Sequence, residues 1–191
     1  MGVDELERVE VRSGEALRAW LEAHHAQEDS VWLVTFKKVR PEAYVSREAV
    51  LDELLCFGWI DGVRKKLDDQ RTMQLISPRR VQHWTATYKE RAARLIAEGR
   101  MHAAGFASIE RGKASGSWDF MADVDARIVP DDLAAAMAGL PPARTHWEAF
   151  APSYQRNLLR WIKLAKTDPR RRKRVARVAE AARDAEKMRN F

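Results

Sequence analysis

A chain of 191 residues holds one compact domain, or one domain with a helical extension. Hydrophobic residues at 46% and charged residues at 32% exclude a disordered tail, and no apolar run reaches the ~20 residues of a membrane helix. The net charge of +6 is concentrated: residues 163–177 hold eight bases and one acid, so the rest sums to −1, which excludes a cationic field over the whole surface.

Ser13 is placed to cap a first helix from about Gly14 to Ala26, with Leu17, Trp20 and Leu21 on one side. Ser30 to Lys38 is β-branched and aromatic with apolar residues on both faces, the pattern of an interior strand. Pro41 breaks the chain. Ser46 then caps a second helix whose stripe is Val50, Leu51, Leu54 and Leu55. After Gly58 and Gly62, Val63 to Leu67 and Arg71 to Ser77 form a hairpin around Asp68-Asp69-Gln70, with Val63 and Leu67 on one face.

Beyond Pro78, Trp84, Tyr88, Ala92 and Leu95 recur at helical spacing, and Gly99 ends that helix. A shorter helix covers Met101 to Arg111, and Gly112 to Val129 is a connection over the surface. Pro130-Asp131-Asp132 opens a short helix that Gly139 and Pro141-Pro142 stop. Tyr154, Leu158, Trp161, Ile162 and Ala165 line a helix starting at Pro152. Asp168 as cap and Pro169 open the last one, with core face Val175, Val178, Ala179 and Ala182. The expected class is α+β: a small antiparallel or mixed sheet with flanking helices over residues 1–129, then a helical C-terminal region over 130–191.

The run Leu55-Cys56-Phe57-Gly58-Trp59-Ile60-Asp61-Gly62 resembles the signature of the YdeI / OmpD-associated (bacteriocin-protection) family. Further blocks follow in family order: Pro78-Arg79-Arg80 before Trp84, Leu95 to Met101, Val129 to Leu133, and Trp161-Ile162 with Ala165-Lys166. One block departs. Gln82 to Tyr88 keeps the tryptophan but lacks the lysine and asparagine that relatives carry after it. The resemblance implies an N-terminal part similar to the YjbR/CyaY-like group, a helical C-terminal region, and a link to bacteriocin or stress protection. It implies no known reaction.

Two places carry candidate chemistry. Trp59, Asp61, Arg64, Arg79, Arg80 and Trp84 form an expected corner for a small anionic or aromatic ligand, set against a reading in which the aromatics are core and Asp61 serves a turn. Lys166, Arg170, Arg171, Arg172, Lys173, Arg174 and Arg177 form an expected patch for an anion or nucleic acid, set against a solubilising face. Placing so many cations in the first turns of a helix opposes its dipole, so helix stability alone does not account for them. Cys56 reads as an inert core thiol, and the five histidines form no ligand motif. The acidic run Asp4, Glu5, Glu7 and Glu10 reads as a solvated face.

No catalytic set, metal site or cofactor is expected. Without a catalytic constellation, the first reading is a non-catalytic binding protein for such a ligand or for a protein partner. The alternative is a nucleic-acid-associated protein using the basic C-terminal helix. A third, weaker reading makes Asp61 a general base. The acidic N-terminus lacks the order of a secretory signal, so a cytoplasmic location is expected.

Overall fold

In the computed structural model, residues 5–80 and 82–188 are described. Asp4 of the acidic run lies outside them. The chain divides into two units, one up to Asp119 and one from Phe120.

The first unit is built on a four-stranded sheet in the order β1-β2-β4-β3. Its strands are β1 (Arg8–Glu10), β2 (Val31–Phe36), β3 (Trp59–Lys66) and β4 (Arg71–Pro78). β1 runs parallel to β2, and the other neighbours are antiparallel. Every residue of β2 is buried, as its two-faced apolar pattern requires. Val31 and Leu33 face the larger core with Ile76, while Trp32 and Val34 face a smaller one with Met73.

Helices α1 (Gly14–His24), α2 (Arg47–Cys56), α3 (Ala86–Ala97) and α4 (Ala103–Ala114) supply the larger core. Ser13 and Ser46 cap α1 and α2, each accepting a backbone N–H at 3.1 Å. α2 turns into β3 through Gly58, whose φ of +71 is the left-handed region. A side chain there would also meet the Ala104 carbonyl oxygen at 2.8 Å. The sheet departs from expectation in two respects. β3 begins at Trp59 rather than Val63, because Trp59, Ile60 and Asp61 pair with Pro78, Ser77 and Ile76. Asp61 next pairs opposite Ile76 and Arg64 opposite Gln74, so one extra residue bulges out and Val63 turns to solvent, 53% exposed. The other departure is β1, which the sequence does not announce. It is three residues long, below what period-two reasoning resolves.

In the second unit, α5 (Ala122–Asp125), α6 (Asp131–Ala138), α7 (Ala143–Ala149), α8 (Pro152–Lys163) and α9 (Asp168–Arg183) form a helical bundle. α9 packs on α6, α7 and α8 through Val175, Val178, Ala179 and Ala182, the four residues its periodicity selects. Each buried valine contributes roughly 1.5–3 kcal/mol, while the alanines let the neighbouring backbones approach. The cap of α9 is Thr167, whose hydroxyl accepts from Arg170 N, so Asp168 stands in the first turn instead. Among the described residues, no helix is long and apolar enough to cross a membrane.

Candidate functional site

The expected corner comes together only in part. Trp59 is 1% exposed, donates its indole N–H to the His25 carbonyl at 3.2 Å, and stands edge-on to Trp20. Its ring is core, not a platform facing outward. Trp84 is also 1% exposed and lies against Trp118 at 4.9 Å. It precedes α3 rather than riding on it. A side chain at Gly112 would lie 2.5 Å from the Trp84 indole nitrogen, so a glycine is what admits this ring. Arg64 is exposed and donates to the Thr72 hydroxyl, while Arg80 reaches the Glu28 carbonyl at 2.7 Å.

Asp61, Arg79 and Trp84 do meet, and they meet at Tyr88, which the sequence suggests only as helix core. The Tyr88 hydroxyl donates to Asp61 Oδ1 at 2.6 Å, and Gln74 donates to Oδ2 at 3.0 Å. Burial and the bond to Asp61 push the Tyr88 phenol up to about 12. It therefore stays a proton donor, and both Asp61 oxygens are engaged inside a strand rather than a turn. That arrangement suits a structural acceptor better than a general base. Arg79 is 3% exposed, with its guanidinium 4.3 Å from the Trp84 ring centre and 4.7 Å from that of Tyr88.

The basic region contains the more open feature. Asn157, Arg160, Trp161, Leu164 and Arg174 line a groove of about 510 Å³ formed by α8 and α9. The volume falls in the range of small-molecule sites. Trp161 is half-buried here, not a full member of the core. Arg174 and Arg177, one turn apart on α9, lie over its ring at 4.9 and 5.5 Å, and Arg174 also donates to the Trp161 carbonyl. Leu164 adds an exposed apolar edge.

The patch residues have different fates. Arg171 is held by Asp132 through two bonds of 2.7 and 3.0 Å. Lys166, Arg170, Arg172 and Lys173 are exposed, and like Arg160 they form no ion pair among the described residues. Asn157, Arg160 and Leu164 were missed by sequence reasoning. Their signal is the spacing 157, 160, 161, 164, one polar-aromatic face of α8 turned toward the basic run.

Cys56 is buried, and its thiol is pushed up to about 11 by burial and then by the Glu53 charge, which keeps it protonated and unreactive.

The fold defines the class first: an α+β protein with a small mixed sheet and a helical C-terminal region. Comparison with family models then assigns each part. Residues 9–108 match the family described as a domain of unknown function (DUF8412), and residues 126–184 match the one described as "Bacteriocin-protection, YdeI or OmpD-Associated". The first match spans more than half of the chain, which belongs to that family, and its helical region carries the YdeI/OmpD-associated segment. No curated protein gives a match, and no solved structure does.

Proposed function

We propose that this is a non-catalytic binding protein, and that its site is the cationic groove of α8 and α9, with a small anionic ligand carrying a flat ring as occupant. One observation carries the reading: in an open groove of about 510 Å³, a half-buried tryptophan with two arginines over its ring stands beside Arg160, which has no acidic partner among the described residues. A guanidinium held against a ring keeps its donors in fixed directions, which suits an anion at the ring edge. A cytoplasmic location and a part in bacteriocin or stress protection go with this reading, the latter supported by the family description alone.

Isothermal titration with nucleoside monophosphates and aromatic carboxylates tests it. Saturable binding is expected, weakened about tenfold or more by Arg174→Ala or Trp161→Ala. Absence of binding across both ligand sets overturns it.

A second reading, a single-stranded nucleic acid, is favoured by the further cations Lys166, Arg170, Arg172 and Lys173, which continue past the groove. Oligonucleotide affinity then falls steeply with salt. Replacing Arg170, Arg172 and Lys173 by alanine lowers that slope by ~0.7 for each phosphate no longer neutralised. Binding indifferent to salt disposes of it.

A further inference from the structure

We propose a second site in the sheet-bearing unit: the Nε–Nη2 edge of Arg79 takes one small oxyanion of the carboxylate or phosphate kind. The geometry begins with what the guanidinium already touches. Its central carbon lies 4.3 Å from the centre of the Trp84 ring and 4.7 Å from that of Tyr88. Nη1 donates to the Gln82 carbonyl at 3.4 Å. Nε and Nη2 are buried and have no hydrogen-bond partner among the described residues. These two atoms are not an arbitrary pair. Their N–H bonds point the same way in the guanidinium plane, forming the fork that matches two oxygens of a carboxylate or phosphate.

Among the described residues, no carboxylate pairs with this fork. Asp61, whose charge reaches Arg79 and favours its ionised form, already accepts from Tyr88 on one oxygen and Gln74 on the other. Desolvation draws Arg79 below the ordinary arginine range, yet a guanidinium remains charged at any physiological pH. A buried charge with two of its donors unpartnered is a costly group to leave unsatisfied. A second orphan lies near the same backbone. Ser108 is 3% exposed with a partnerless hydroxyl, and it packs beside Gly58, whose carbonyl accepts from Arg79 N at 2.9 Å. The chain that carries Trp84 over Arg79, Gln82–Thr85, belongs to no helix or strand. An anion therefore reaches the fork by displacing coil, without breaking an element.

The test follows the Arg79 Nε–H resonance in ¹⁵N-labelled full-length protein, in an Arg160→Ala, Arg174→Ala background that silences the groove of the other unit. Inorganic phosphate and acetate are added in separate titrations, each against sodium chloride at equal ionic strength. A saturable shift of that resonance with phosphate or with acetate is the expected result, accompanied by a rise in Tm with the same anion. The anion that acts distinguishes a phosphate-bearing ligand from a carboxylate one. Arg79→Lys keeps the charge and loses the fork, and it is expected to weaken the effect about tenfold or more. Should Arg79→Lys fail to fold, the resonance of the arginine protein decides alone. An Arg79 signal that moves with neither anion beyond the chloride control overturns the proposal and leaves water as the partner of the fork.

Discussion

Replacing Asp52 with alanine removes the acceptor on which three arginines converge. Asp52 lies on α2, 7% exposed, and takes both Arg91 and Arg94 on Oδ1, while Arg100 Nη1 stands 3.6 Å from Oδ2. Removing one partner of a buried ion pair costs ~3–5 kcal/mol, because the charge left behind is unpaired. None of these arginines is left wholly unpaired. Arg91 keeps Glu48, Arg94 keeps Glu98 at 2.9 Å, and Arg100 keeps Glu53 at 2.7 Å. The cost then falls below that range, to the ~1.5–3 kcal/mol of hydrogen bonds made to a charged group.

The sign with pH follows from the carboxyl itself. Burial alone would raise it, but hydrogen bonds from Arg94 and Arg91 outweigh burial and hold it below the ordinary aspartate value. Its contribution is thus complete above the unfolded value of ~3.9 and is lost as pH falls through the lower folded value. Urea unfolding followed by circular dichroism at a series of pH values measures both effects. A loss smaller than about 1 kcal/mol at neutral pH, or a difference that fails to narrow in acid, refutes the convergence argued for Asp52.

Three further outcomes are expected. Gly112→Ala places a methyl 2.5 Å from the Trp84 indole nitrogen and costs ~1–3 kcal/mol with a change in tryptophan emission, although alanine is the better helix former; a more stable variant contradicts the contact. Thr167→Ala deletes the cap of α9 and lowers stability by ~0.5–2 kcal/mol in urea titration, whereas an unchanged midpoint shows that the cap contributes nothing. Cys56, whose thiol is pushed up to about 11, reacts with a thiol reagent at pH 8 slowly when native and rapidly in urea; prompt labelling of the folded protein contradicts its burial.

Much of the fold is legible in the sequence because single elements carry their own signals. Ser13 and Ser46 announce α1 and α2, and the spacing of Val175, Val178, Ala179 and Ala182 gives the buried face of α9. What escaped depends on pairing across the chain. The early start of β3 at Trp59 needs β4 opposite it, and the outward turn of Val63 needs the bulge, neither of which period-two reasoning contains. The same limit applies to the sites. Trp59 reads equally well as platform or core until His25 and Trp20 are seen against it. Seven clustered cations read as one patch until Asp132 claims Arg171 and the ring of Trp161 gathers Arg174 and Arg177. The family motifs placed the chain, yet the run from Leu55 to Gly62 falls within the DUF8412 match, while the bacteriocin-protection match begins at residue 126.

β3 is an outer strand of its sheet, and it crosses Arg64, Lys65 and Lys66 just after its bulge. A second copy approaching that border meets Arg64 and Lys65, a Lys66 paired with Asp69, and a ladder thrown out of step by one residue. Charge and bulge together disfavour strand addition along that side.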